Sequence, residues 1–183
     1  MLESAGINVD VEAPEIDERG LEQKFLDGGG SPSGLAGRLA RAKALDVSAR
    51  RPEAPCLGAD QTLLLEDRLF HKAADVEAAV GSLMKLAGRT HILTSALCVA
   101  RNGVVAFEAT QRATMTMRPL EESIIRRYLA AAGPAVLSSV GVYQIEGLGI
   151  HLFERIEGDH ATILGLPLLV LLPWLRTQGL LSI

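Results

Sequence analysis

Hydrophobic residues recur along this chain with two periods, one typical of helices and one typical of strands. Spacings of three to four residues predict three helices, at residues 35–45, 75–86 and 120–132. Continuous or alternating apolar runs predict strands, at residues 54–65, 92–100, 104–107 and 109–117. Asn102-Gly103, between two of these runs, is typical of a hairpin turn.

The two ends of the chain carry weaker patterns. Residues 8–13 alternate and predict a half-buried strand, and residues 14–19 follow as an acidic loop. The apolar stretch 163–175 is too short to span a bilayer and predicts a buried helix with Pro167 in its first turn. Strands and helices are interspersed, so we expect one α/β or α+β domain over residues 1–183, with a mixed sheet.

Composition restricts the class of protein. Hydrophobic residues make up 48% of the 183 positions, which is typical of a globular chain. The formal net charge of -4 argues against a nucleic-acid-binding protein, and no signal peptide or membrane span is visible. Cys56 and Cys98 lie in apolar runs and are expected to be reduced core residues of a cytoplasmic protein.

One stretch combines a predicted buried strand with an acid. Gly58 and Asp60 interrupt the apolar run of residues 54–65, and Lys72 follows after a predicted turn at residues 66–68. An acid and a lysine placed in this way suit a metal-bound substrate that carries phosphate. The alternative is that Asp60 only caps a turn and that Lys72 is only solvated.

Three acids stand out by position: Asp60 at a predicted strand end, Glu18 in the acidic loop and Glu146 among the glycines of residues 141–149. Carboxylates that converge can hold Mg²⁺, which also binds phosphate oxygens and water. Lys72 would add a positive charge for the phosphates. Arg38 and Lys43 belong to the predicted helix at residues 35–45. The sequence is compatible with two roles for them, a solvated basic face or a contact with phosphate.

Several motifs together resemble the Maf family, and the match covers nearly the whole chain. They are, in chain order, Ile16-Asp17-Glu18, the stretch from Arg38 to Ala44, Leu57-Gly58-Ala59-Asp60, Lys72, Gly88-Arg89-Thr90-His91, residues 141–147 and Leu164-Gly165-Leu166-Pro167-Leu168. The resemblance implies an elongated mixed sheet flanked by helices, with two lobes and a central cleft, as in inosine-triphosphate pyrophosphatases. It also implies hydrolysis of nucleoside triphosphates between the α and β phosphates, with Mg²⁺ or Mn²⁺. Some Maf proteins have been linked to arrest of septum formation.

The resemblance also implies roles for particular residues. Asp60 matches the catalytic acid of the family, while Glu18 and Lys72 match an acid and a lysine that handle metal and phosphate. Gln61 and Glu146 stand where the dTTP and UTP branch has a threonine and a glutamine, which resembles the 7-methyl-GTP branch instead. Two positions depart from the family pattern, because Ala73 replaces a proline and Ser139 replaces a lysine of the dTTP and UTP branch.

The start of the chain gives a further expectation. Maf proteins begin with a strand and a Ser-x-Ser-x-x-Arg loop, whereas this chain opens on what resembles the end of the first helix. We therefore expect that segment upstream, a weakened activity without it, and an open sheet edge that favours a homodimer. Lys43 and Arg38 would then remain to attract the triphosphate. The alternative function is a nucleotide-binding regulator of cell division that binds without turnover.

Overall fold

The computed structural model describes residues 1–182 and confirms a mixed α/β fold. The strands are β1 (Cys56–Leu65), β2 (Arg68–Phe70), β3 (Thr90–Arg101), β4 (Val104–Met117) and β5 (Phe153–Glu157). The helices are α1 (Glu18–Asp27), α2 (Leu35–Arg50), α3 (Val76–Leu86), α4 (Glu122–Ala132), α5 (His160–Ile163) and α6 (Leu168–Thr177). Short 3₁₀ turns connect several of these elements.

The five strands form one sheet in the order β2-β1-β3-β4-β5. β1 and β2 are antiparallel and turn at the predicted position, where Glu66 has a φ of 54°. β3 and β4 are joined by the predicted Asn102-Gly103 turn, whose φ values of 51° and 70° fit a type I′ hairpin. β4 and β5 are antiparallel, and their register shifts between Thr116 and Met117.

Contacts divide the chain into two compact units. Within the described residues, the first contains 1–61, 94–112 and 159–182, and the second contains 62–93 and 113–158. In the first unit α2 packs on one sheet face through a buried cluster of small side chains. They are Ala36, Ala40 and Ala44 of the helix and Ala96, Cys98 and Ala100 of β3.

The alternate positions of β3 face the other side of the sheet in the first unit, as the strand period requires. Leu97 and Val99 pack there against Leu171 of α6. Phe107 and Trp174 stack at the same face, with ring centroids 5.2 Å apart. This part of the sheet is therefore covered by α2 on one face and by α6 on the other.

The second unit has an aromatic core around His91. The imidazole Nε2 lies 2.7 Å from the hydroxyl of Tyr143, and the Tyr143 ring meets the Phe153 ring edge-on at 4.7 Å. His91 is 1% exposed, and burial lowers its pKa to about 4 from 6.5. The folded state therefore holds this imidazole neutral.

We expect the buried His91 to make the fold sensitive to acid. Its pKa is lower in the folded chain than in the unfolded chain, so its contribution to stability is complete above pH 6.5 and falls as the pH drops towards 4. The loss amounts to about 3 kcal/mol over this window. Denaturant unfolding at several pH values should show a flatter pH dependence for His91→Gln than for the exposed control His71→Gln. Equal slopes would contradict the assignment.

The prediction for the cysteines is confirmed, because Cys56 and Cys98 are both buried and free. The prediction for the C-terminal helix is wrong in detail: α6 begins after Pro167, which is its N-cap, and Leu171 is its one buried residue. No helix formed by the described residues is both long and apolar enough to cross a membrane.

Two other predictions are wrong. Residues 8–13 form no strand, and Glu12 within them is ion-paired with Arg50 and Arg51. The two strands predicted over residues 104–117 are one continuous strand, β4.

Candidate active site

Asp60 lies in the middle of β1, not at the end of a strand as predicted. Its neighbour two residues earlier, Gly58, lies so close to α2 that a Cβ atom there would be 2.3 Å from the Ala40 carbonyl oxygen. Because residues two apart in a strand share a face, Asp60 is directed towards the same helix. The missing side chain of Gly58 thus brings α2 close to the acid.

Lys43 of α2 lies between two carboxylates. Its Nζ donates to Oδ1 of Asp60 at 2.6 Å and lies 3.1 Å from Oε1 of Glu18. The side chains of Lys43 and Asp60 are only 18% and 12% exposed, whereas that of Glu18 is 49% exposed. The cluster therefore has an enclosed lysine–aspartate pair and one carboxylate open to solvent.

Glu18 is the first residue of α1 and does not lie in a loop, contrary to the prediction. Asp17 caps this helix, because its carboxylate accepts from the Gly20 backbone N–H at 3.0 Å. α1 packs against α2, which carries Lys43. A carboxylate in the first turn is also favoured by the helix dipole.

The surroundings keep Lys43 charged. Burial alone would lower the pKa of its ammonium group, but the hydrogen bonds and negative charges of Asp60 and Glu18 outweigh burial and raise that pKa above its usual value. Lys43 is therefore a fixed positive charge at neutral pH. A half-buried cation of this kind can bind the oxygens of a phosphate group.

Gln61 lies on the opposite sheet face from Asp60, and its side-chain amide is fixed by hydrogen bonds inside the protein. Its amide nitrogen lies 2.8 Å from Oγ of Ser95, 3.1 Å from the Thr162 carbonyl oxygen and 3.0 Å from the Ile163 carbonyl oxygen. Ser95 itself donates to the Thr162 carbonyl at 2.7 Å. Three oxygens around one nitrogen fix which way the amide points, because the carbonyl oxygen would be repelled there.

The other predicted site residues are Arg38, Lys72 and Glu146. Arg38 is exposed on α2, as a solvated residue would be. Lys72 and Glu146 belong to the second unit, where both are exposed, Lys72 just after β2 and Glu146 in a turn of the 141–149 loop. Among the predicted residues, the structure brings together Glu18, Lys43 and Asp60.

The helical spacing of α2 alone is enough to predict that the side chain of Lys43 is partly buried. Lys43 stands four residues after Leu39 and seven after Ala36, both of which are buried. These spacings put its side chain on the buried side of α2 and not on a solvated basic face. Ser95 and Thr162, which hold Gln61, have no comparable signal, because their contacts join residues far apart in sequence.

The fold and this cluster define an α/β protein with enclosed opposite charges suited to a phosphate ligand. Comparison with known proteins is more specific. Residues 1–178 match the family model described as Maf-like protein, and the chain belongs to the Maf family. The resemblance predicted from the motifs is therefore confirmed.

Curated relatives resemble the chain over nearly its full length. It is 53% identical to the 7-methyl-GTP pyrophosphatase of Mesorhizobium japonicum, over 98% of this chain and 90% of the relative. It is 52% identical to the nucleoside triphosphate pyrophosphatase of Rhodopseudomonas palustris strain BisB18, over 100% and 89%. It is 48% identical to the 7-methyl-GTP pyrophosphatase of Brucella suis, over 97% and 89%.

Proposed function

We propose that this chain is a nucleoside triphosphate pyrophosphatase, which hydrolyses the α–β phosphoanhydride to give a nucleoside monophosphate and pyrophosphate. The observation that carries the proposal is the enclosed Lys43 between Asp60 and Glu18. The names of the relatives support the same reaction. The cluster supplies both a cation for phosphate oxygens and carboxylates for a metal or a water.

The same cluster fits Mg²⁺ or Mn²⁺. One oxygen of Asp60 and one of Glu18 approach the same Lys43 nitrogen, so the two carboxylates are near neighbours. Mg²⁺ is commonly bound by one or two carboxylates together with substrate phosphates and water. Among residues 1–182 no group of three His, Cys, Asp or Glu side chains is placed to hold a metal ion. Asp60 and Glu18 would therefore hold the ion jointly with the triphosphate, and the ion would neutralise phosphate charge.

Each residue of the cluster then has a role. Lys43 binds phosphate oxygens and balances the charge of the two carboxylates. Asp60 supplies the negative charge that the attacking water or the metal requires. Lys72 and Arg38 are proposed to attract the triphosphate from solvent, because both are exposed cations.

A release assay tests the proposed reaction. The purified chain with Mg²⁺ or Mn²⁺ is given a panel of nucleoside triphosphates, and both pyrophosphate and orthophosphate are measured. We expect pyrophosphate and the nucleoside monophosphate in equal amounts. Orthophosphate as the only product would refute the proposal, and tight binding without either product would favour the nucleotide-binding regulator.

We expect purine or 7-methylated guanine triphosphates to be preferred over dTTP and UTP. The Glu146 carboxylate is exposed and can accept hydrogen bonds from a base. A guanine edge offers N–H donors, whereas O4 of uracil or thymine needs a donor. An unmatched polar contact costs on the order of 1–3 kcal/mol, so the preference should be about tenfold or more.

Competition measures this preference directly. Equal concentrations of 7-methyl-GTP, GTP, dTTP and UTP are incubated with the chain, and the four monophosphates are quantified over time. Preferential consumption of dTTP or UTP would contradict the assignment of Glu146 to the base.

A further inference from the structure

Val142, at the start of the 141–149 loop, has an unusual backbone conformation. Its φ is 57°, and its side chain is fully buried. A β-branched residue in this left-handed region costs on the order of 1–3 kcal/mol and persists only where the surroundings impose it. Strain of this kind tends to occur where a segment must be held in one shape for function.

The residues around Val142 supply that restraint. The Val142 N–H donates to the Ser139 carbonyl at 3.0 Å, and its carbonyl accepts from the Tyr128 hydroxyl at 3.2 Å. The next residue, Tyr143, is 6% exposed and is hydrogen-bonded to His91 of β3. Hydrogen bonds on both sides of the strained position therefore fasten this end of the loop to the second unit.

Close contacts leave no room for a side chain at either end of the 141–149 loop. A Cβ atom on Gly141 would lie 2.2 Å from the Tyr143 ring and 2.9 Å from a methyl group of Leu63. A Cβ atom on Gly149 would lie 2.5 Å from the Gln144 carbonyl oxygen. Both ends of the loop are thus packed at distances that only glycine permits, with the exposed Glu146 between them.

We infer that Tyr143, through its hydrogen bond to His91, is a positioning residue that holds the 141–149 loop so that Glu146 meets the base of the nucleotide in one orientation. The inference rests on the role proposed above for Glu146. Tyr143 acts through Glu146 and touches neither phosphate nor base. Burial raises the pKa of Tyr143 far above its usual value, so the phenol stays neutral and keeps its hydrogen bond at physiological pH.

Binding to hydrolysis-resistant nucleotides tests this role independently of turnover. The α,β-methylene analogues of 7-methyl-GTP and dTTP are titrated by calorimetry into the wild-type chain, Tyr143→Phe, Glu146→Gln and the double variant. Tyr143→Phe keeps the ring and removes the hydroxyl only. We expect the ratio of the two affinities to fall about five- to tenfold, as the loss of one buried hydrogen bond implies. The double variant should discriminate no worse than Glu146→Gln alone.

A matched variant separates positioning from general loss of stability. Thr116→Val removes a hydroxyl that pairs with Thr90 at 3.0 Å in the same unit, and it should leave the affinity ratio unchanged. With true substrates, Tyr143→Phe should have a higher KM for 7-methyl-GTP than the wild-type chain, with little change in kcat. An unchanged affinity ratio in Tyr143→Phe, or additive effects in the double variant, would overturn the inference. The pyrophosphate assay decides the proposed reaction separately, because these affinities do not depend on turnover.

Discussion

Replacing Asp60 by asparagine should leave the fold intact and reduce pyrophosphate release by on the order of a hundredfold or more. Asparagine keeps the volume, and its Oδ1 can still accept the hydrogen bond from Lys43 that is 2.6 Å long in the wild-type chain. It loses the negative charge that a metal ion or an attacking water requires. The measurement is kcat for pyrophosphate release with Mg²⁺, with thermal unfolding of the same sample to confirm that the chain is folded.

Asp67→Asn is the matched control, because Asp67 is an exposed acid in the turn between β1 and β2. Its loss changes the net charge by the same amount and should leave kcat nearly unchanged. A near-normal rate for Asp60→Asn would place the chemistry on another acid, and Glu18 and Glu146 would be the next to test.

Replacing Gly58 by alanine should destabilise the chain by about 3 kcal/mol or more and should also lower activity. The added Cβ would lie 2.3 Å from the Ala40 carbonyl oxygen and 2.6 Å from the Ala44 backbone nitrogen. Backbone atoms cannot rotate aside, so α2 must shift away from β1. Lys43 stands between these two alanines, and its contact with Asp60 would change with the shift.

Gly81→Ala provides the control for this second variant. Gly81 lies in α3, and a Cβ atom there would meet nothing within 4 Å. The change should stabilise the chain by up to about 1 kcal/mol, since alanine favours a helix over glycine. Denaturant unfolding measures both variants. Similar free energies of unfolding for the two would show that α2 is not so close to β1.

Local patterns predicted the elements whose own residues bury a face. The helices α2 and α3, the strand β3 and the Asn102-Gly103 turn all appear near their predicted positions. α1 was missed because its apolar face is short, with Leu21, Phe25 and Leu26 only, and none of its ten residues is fully buried. The strand predicted over residues 8–13 failed for a different reason, since alternation describes a strand but does not supply a partner to pair with.

The candidate site could be predicted from the sequence only in part. The family resemblance selected Asp60 and Glu18, but spacing did not reveal that Lys43 joins them, because the three come from different elements. The alternation of β1 implied that Asp60 and Gln61 face opposite sides of the sheet, although both had been assigned to substrate. The inward hydrogen bonds of Gln61 depend on residues 34 and about 100 positions away and carry no local signal.

The layer of small residues between α2 and the sheet also contains Cys98, which is fully buried. Burial raises the pKa of its thiol to about 12, with a further contribution from Glu108, so the reactive thiolate is scarce even where a reagent can enter. A thiol reagent can therefore modify Cys98 only after α2 has separated from β3. The rate at which a thiol reagent labels Cys98 therefore measures how often α2, the helix that bears Lys43, opens in the native state.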